Sequence, residues 1–345
     1  TGTPTGTVTF YADGAPIAGG QNVALSGGQA TCTASFNATD SPVLITAAYS
    51  GDANYSGSDN TATPLFQTVN PADTTTVVTS MPEPLISGQD VTFTSTVTTD
   101  TPGSGTPTGT VTFTIKDKDD NPITTSAPVT LDGLGRATYT TNNLKASLSK
   151  YKVTATYDGS GDSNYNSSPE SAVYEQQVDK ADTSITITSD SPDPSIEGQA
   201  YTITWDAIVV APGSTVTGNP TGSVEVKDDD TPANTCTNAV ENGTTGCNLS
   251  LTPAGTPTLT ATYAGDADYN GSDTTASHTV NSKETSISVN SSPDPSYITG
   301  QVQFTATLTP DSAGGPDPTG IVTFRDTTNA VDLGTDTNGS NGWSL

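Results

Sequence analysis

Along much of this chain apolar and polar residues alternate one by one, the period that turns one face of a β-strand inward and the other outward. Val91, Phe93, Ser95 and Val97 fall on one side of a run whose other side is Thr92, Thr94 and Thr96. Tyr201, Ile203, Trp205 and Ala207 repeat the pattern. So do the trios Ile45, Ala47, Tyr49; Val153, Ala155, Tyr157; and Leu259, Ala261, Tyr263. Trp205 is thereby predicted to fill a core position. Clusters of Gly, Pro, Asn and Asp interrupt these runs and leave long helices little room. The pattern predicts an all-β protein of short, half-buried strands.

The strands recur in a fixed order. Pro-Thr-Gly opens an alternating strand at Pro4-Thr5-Gly6, Pro107-Thr108-Gly109, Pro220-Thr221-Gly222 and Pro318-Thr319-Gly320, at spacings of 103, 113 and 98 residues. Gly-Gln opens another at Gly88-Gln89, Gly198-Gln199 and Gly300-Gln301. A third marker, Tyr-x-Gly-Asp-x-x-Tyr, spans Tyr49–Tyr55 and Tyr263–Tyr269, with a two-residue insertion at Tyr157–Tyr165. There Gly and Asp supply the turn, and the second Tyr is expected to cover the domain end with its hydroxyl in water. First strands follow at Thr76 and Val78, Ile185 and Ile187, Ile287 and Val289. One sandwich per period gives domains at 1–70, 71–179, 180–281 and 282–345. The linkers Pro71-Ala72-Asp73, Lys180-Ala181-Asp182 and Ser282-Lys283-Glu284 are too short to hold neighbours far apart, which implies a semi-rigid string.

Together the Gly-Gln strand, the Gly109-Thr110-Val111-Thr112-Phe113 strand and the Tyr-x-Gly-Asp-x-x-Tyr closure resemble the bacterial immunoglobulin-like repeats of large prokaryotic surface proteins and adhesins. The resemblance covers the whole chain. It implies tandem immunoglobulin-like β-sandwich domains in an elongated array, placed outside the cell or on its surface. It also implies a structural or adhesive task, a stalk or filament, rather than catalysis. The alternative is a set of ligand-binding modules for carbohydrate or a receptor, or the accessory part of a secreted enzyme. A flat aromatic platform would mark such modules, and Tyr11 and Tyr139 are the candidates.

The first copy lacks the two strands that precede Pro-Thr-Gly elsewhere, and the last stops before its closing strands. A window on a longer array accounts for this. The other reading is head-to-tail completion, in which a neighbouring copy supplies the missing strands, so that the partner of the chain is itself.

Charge narrows the partners. Ten Lys and Arg stand against 37 Asp and Glu, a net of −27, and such a polyanion repels phosphate backbones and lateral copies of itself. Nucleic acid is excluded on this ground. No segment reaches the roughly 18 to 20 apolar residues of a membrane-spanning helix. Thr dominates the polar remainder, and only 31% of residues are hydrophobic, as suits pleated surfaces with one wet face.

Candidate chemistry is sparse. Cys236 and Cys247 flank what reads as a hairpin, and a local disulfide is expected there. Cys32 has no partner in its own copy. Asp73, Asp182 and Glu284 recur at one linker position and could meet Asp52, Asp162 or Asp266 from a neighbouring loop around a calcium ion. Otherwise no cofactor is expected. Asp117, Asp119 and Asn121 mimic the opening of a calcium-binding EF-hand loop, but Pro122 stands where glycine is required, and a hairpin turn is the better reading. Asn54 and Asn270 lie in glycosylation sequons on closing turns. The one histidine, His278, is expected at the surface or half buried. With it alone, no Ser-His-Asp pair or zinc set is expected.

Overall fold

The computed structural model describes residues 2–229, 234–240, 245–251, 253–310, 318–337 and 343–344. The chain divides into two compact units, Thr1–Lys180 and Ala181–Leu345. In the first repeat lie β1 (Thr7–Ala12), β2 (Ala15–Pro16), β3 (Val23–Ala24), β4 (Val43–Tyr49), β5 (Ser58–Asp59) and β6 (Leu65–Gln67). The second holds β7 (Thr74–Met81), β8 (Leu85–Ile86), β9 (Val91–Thr99), β10 (Thr110–Lys116) and β11 (Pro122–Thr125). It continues with β12 (Val129–Thr130), β13 (Arg136–Thr141), β14 (Tyr151–Asp158), β15 (Tyr174–Gln176) and β16 (Val178–Asp179). The third comprises β17 (Thr183–Ser191), β18 (Ser195–Ile196), β19 (Ala200–Val209), β20 (Ser223–Lys227) and β21 (Thr235–Ala239). It ends with β22 (Thr245–Ser250), β23 (Thr258–Tyr263), β24 (Ser272–Ser277) and β25 (Val280–Asn281). The fourth holds β26 (Thr285–Ser292), β27 (Gln303–Pro310), β28 (Val322–Asp326), β29 (Val331–Asp336) and β30 (Trp343–Ser344).

The second repeat is a complete two-sheet sandwich. One sheet has the order β13-β9-β7, the other β11-β10-β14-β15 with β12 on β10. A short parallel pair, β8 with β16, ties the first strand's continuation to the last strand. Strict alternation makes this possible: along β14, Tyr151, Val153, Ala155 and Tyr157 are buried while the residues between them are not. Those side chains meet Val91, Phe93 and Val97 from the opposite sheet in one core. Burying each such side chain stabilises by about 1.5–3 kcal/mol, which is how a sequence so rich in Thr still holds its shape.

The third repeat copies the plan. Its sheets are β17-β19-β22 and β21-β20-β23-β24, and β18 runs parallel to β25. Trp205 lies in its core, 1% exposed, with Tyr201, Ile203, Leu259 and Tyr263.

The outer repeats bury less among their described residues: the first is a single sheet, and in the fourth the sheets β26-β27-β30 and β28-β29 share only a small core of Ala306, Val322 and Phe324. In the first, β1 to β6 form one six-stranded sheet, and Phe10, Ile17, Phe36, Ile45 and Leu65 line an open trough beside Cys32. In the fourth, Ile287 and Val289 of β26 are more than half exposed. Alternation sets which side faces inward, but burial needs a second sheet.

Candidate functional site: the closing turn, the linker and a buried histidine

Two of the recurring sequence markers form the two halves of one lock. In the second repeat the Asp162 carboxylate accepts the Thr108 hydroxyl at 2.6 Å and the Thr108 backbone N–H at 3.3 Å. In the third, Asp266 accepts both groups of Thr221 at 2.7 Å. In the first, Asp52 accepts the N–H of Thr5 at 2.7 Å and its hydroxyl at 2.9 Å. The other carboxylate oxygen caps the turn itself, taking the N–H groups of Asp268 and Tyr269 in the third repeat. The Thr of Pro-Thr-Gly is thus stapled to the Asp of the closing turn.

The tyrosines complete the lock. The first one of each turn donates to the carbonyl of the same Thr: Tyr49 to Thr5 at 2.5 Å, Tyr157 to Thr108 at 2.5 Å, Tyr263 to Thr221 at 2.8 Å. The second also donates to backbone, Tyr55 to Gly2 at 2.6 Å and Tyr165 to Ser104 at 3.2 Å, while Tyr269 bonds the carbonyls of Ser214 and Gly218. For the buried Tyr269 this corrects the expectation that its hydroxyl lies in water, whereas those of Tyr55 and Tyr165 bond the backbone at the surface. Glycine is needed where the halves meet. Gly109 has φ +117°, and a Cβ there would stand 2.6 Å from the Asp158 carbonyl oxygen; Gly265 has φ +80° and would crowd the N of Gly271 at 2.7 Å.

The electrostatics follow. Backbone N–H donation from Thr5 holds Asp52 well below the usual carboxylate range. Burial pushes Asp162 and Asp266 up, but the hydrogen bonds from Thr108 and Thr221 and from their own turns outweigh it, and both end low. Burial, with the nearby Asp162 or Asp266 charge second, pushes Tyr157 and Tyr263 up to about 12.

The linker docks on this same turn. Ala72 donates its N–H to Asn164 at 2.8 Å and accepts from the N–H of Asn166 at 2.8 Å. Ala181 does the same with Asp268 at 3.0 Å and Asn270 at 2.8 Å. Each forms a parallel β-bridge with the second tyrosine of the following repeat, Ala72 with Tyr165 and Ala181 with Tyr269. Within the first unit, the Asn164 side chain also accepts the Ala38 N–H of the preceding repeat at 2.9 Å.

These bonds occupy the acids expected to hold calcium. Asp73 accepts from the Asn166 amide at 2.9 Å, Asp182 from the Asn270 amide at 2.8 Å, and Glu284 is exposed ahead of β26. Asp52, Asp162 and Asp266 are engaged by threonine. Among the described residues, none of these six acids joins a three-ligand group. The protein's own N–H and O–H donors engage five of these six acids, all but Glu284. Asp117 is buried and likewise caps its hairpin through Asp119 and Asn121.

Cys236 and Cys247 are joined by a disulfide, but not across a hairpin. β21 pairs with β20, and β22 pairs with β19 in the opposite sheet, so the bond spans the sandwich. Eleven residues suffice to cross from one sheet to the other, a fact that spacing alone does not reveal. Cys32 is a free thiol. Of the aromatic platform candidates, Tyr139 stacks on Phe113 with ring centroids 6.0 Å apart, and Tyr11 is half buried.

His278 departs furthest from expectation, being fully buried. It lies flat on Tyr201, 3.8 Å between centroids at 8°. Nε2 meets the Ser195 hydroxyl at 2.8 Å, and Nδ1 meets Asp190 at 3.0 Å and Asp193 at 3.6 Å. The order Ser-His-Asp resembles a nucleophilic relay, yet Ser195 is itself completely buried, so no substrate carbonyl can approach its oxygen. No spacing signal joins residues 83 to 88 positions apart; only the fold does.

A family profile described as bacterial Ig-like domain (group 3) matches residues 78–179 and 187–281. No curated protein matches the chain. Among solved structures, red sea bream transglutaminase aligns at 12% identity and TM-score 0.27, over 60% of this chain and 31% of that one. Escherichia coli alpha-2-macroglobulin activated by porcine elastase aligns at 12% identity and TM-score 0.26, over 84% of this chain and 30% of that one. The trypsin-activated form from the same organism aligns at 8% identity and TM-score 0.26, over 84% and 24%. The chain therefore spans less than a third of any of these proteins.

Proposed function

Since this chain belongs to the bacterial Ig-like domain family, group 3, we propose that it is a mechanical spacer within an extracellular surface protein, setting reach rather than performing chemistry. The observation that carries this reading is the docked linker: Ala72 and Ala181 are each paired as strand to the closing turn of the repeat that follows. Inside the first unit, the joint at Ala72, held by backbone hydrogen bonds, resists bending in a way that a free three-residue tether does not. Each complete repeat also clamps its ends together, because the parallel pairs β8–β16 and β18–β25 join first strand to last. An external location agrees with the Cys236–Cys247 disulfide, a bond that persists in oxidising surroundings. The charge of −27 keeps lateral copies apart.

Pulling single molecules by their ends tests this. Each of the two complete repeats should unfold in its own force step and release about 35 nm of chain, from roughly 100 residues at about 3.5 Å each. Replacing residues 71–73 by Gly-Ser-Gly should leave those steps in place but widen the distance distribution between spin labels on the first and second repeats. An unchanged distribution would remove the docked linker from the account, and a featureless extension without steps would remove the spacer itself.

A further inference from the structure

We propose that Asp190, Asp193 and His278 form a binding site for a divalent transition metal of the zinc class. Asp190 comes from the end of β17, Asp193 from the loop that leads to β18, and His278 from just beyond β24. The fold brings one imidazole nitrogen and two carboxylate oxygens within 4.8 Å of one another, the one such group of three among the described residues. A set of one nitrogen and two oxygens suits zinc and its neighbours, whereas calcium and magnesium favour oxygen alone.

Three features go beyond a chance cluster. First, the ligating atom is aimed. Ser195 holds Nε2 and Tyr201 holds the ring face, so Nδ1 is fixed toward the carboxylates, as outer-shell partners fix metal-bound histidines. Second, the site is closed inside and open outside: the His278 side chain is 0% exposed, those of Asp190 and Asp193 21% and 38%. An ion can arrive from solvent and keep water in its remaining positions. Third, the equivalent corner of the second repeat shows what the fold requires without a metal. There Gln176 occupies the place of His278 and bonds Ser80 and Glu83 directly, at 3.0 Å to the latter. That corner is complete with one carboxylate and an amide. The third repeat brings a second carboxylate and an imidazole to the same corner, where the Thr279 N–H donates to Asp193 at 2.9 Å. A bound dication would offset both carboxylate charges beside the β18–β25 clamp.

The test uses the 345-residue chain carrying Cys32→Ser, which removes the free thiol as a rival ligand. The protein is stripped with EDTA, desalted and titrated calorimetrically with zinc chloride, with calcium chloride as the comparison. One zinc site is expected, with calcium binding weaker there. His278→Gln, which installs the residue the second repeat uses, should abolish that site. Ser195→Ala should weaken it by about tenfold through loss of ring orientation. Zinc should also slow hydrogen exchange in β17, β18 and β25 while leaving the second repeat unchanged. If His278→Gln fails to fold by circular dichroism, Asp190→Asn takes its place with the same expected loss. Zinc binding that is equal in parent and variants, or calcium binding more tightly than zinc, overturns the proposal. So does zinc that leaves exchange in β17, β18 and β25 unaltered.

Discussion

The second and third repeats build the same sandwich from the same strand order, yet fill it differently at matching positions. Where the second places the small Ser95 on β9 of one sheet and the bulky Phe113 on β10 of the other, the third places Trp205 on β19 and Val226 on β20. Where the second crosses between its sheets with the Phe113–Tyr139 ring contact, the third crosses with the Cys236–Cys247 bond. At the corner, Ser80, Glu83 and Gln176 give way to Asp190, Asp193 and His278. The closing turn, by contrast, keeps its Asp, Thr and first Tyr bond for bond. Volume in the core is exchangeable across the two layers so long as the sum is kept. Hydrogen-bond geometry at the turn is not, because each partner there is fixed to backbone.

The largest effect should come from breaking the volume exchange. Trp205→Ala removes a fully buried indole and should destabilise the third repeat by about 3–5 kcal/mol. Ser95→Ala at the matching site should be neutral or stabilising, since the Ser95 hydroxyl is buried with no hydrogen-bond partner. Hydrogen exchange resolved by repeat reads both, and a costly Ser95→Ala would contradict the exchange. Next, Cys236→Ser with Cys247→Ser should lower the third repeat by about 2–3 kcal/mol through the freed loop and leave the second untouched. Equal losses in both repeats would contradict an independent cross-sheet link.

The smallest difference should be at the turn, where the repeats agree. Asp162→Ala and Asp266→Ala should each cost about 1–2 kcal/mol, the lower end reflecting solvent screening of a half-buried carboxylate. Both carboxylates have lowered pKa values when folded, so their contribution is present above the unfolded value near 4 and is lost as pH falls below it. Acid titration of the two variants should therefore be flatter than that of the parent below about pH 4. A steeper acid loss in either variant would contradict the lock.

Much of this architecture was legible in the residues. Period-two alternation located β9, β14, β19 and β23 and oriented their inward faces, because a strand's side chains can point only two ways. Recurring Pro-Thr-Gly marked each copy, and Gly-Asp the first three. What the markers do for one another was not legible: Thr108 and Asp162 are 54 positions apart, and only sheet closure brings them to 2.6 Å. Their joint recurrence in three copies was the available signal. The same limit applies to Cys236 and Cys247, whose short separation reads as a hairpin until strand pairing assigns them to opposite layers. His278 read as a lone residue because Asp190, Asp193 and Ser195 are brought to it by the β18–β25 pairing. The recurrence of Pro-Asp-Pro-Ser at Pro192–Ser195 and Pro293–Ser296 was its only trace.

The docked linker has a genetic corollary. Ala72 and Asp73 bond to Asn164 and Asn166, and Ala181 and Asp182 to Asp268 and Asn270, so each of these two tethers and the socket that receives it are encoded in the same stretch of about one hundred codons. A crossover falling just upstream of either linker would therefore carry plug and socket together. Copies could be gained, lost or reshuffled by recombination without redesigning a seam, and the length of the array becomes a trait that selection can adjust in whole steps.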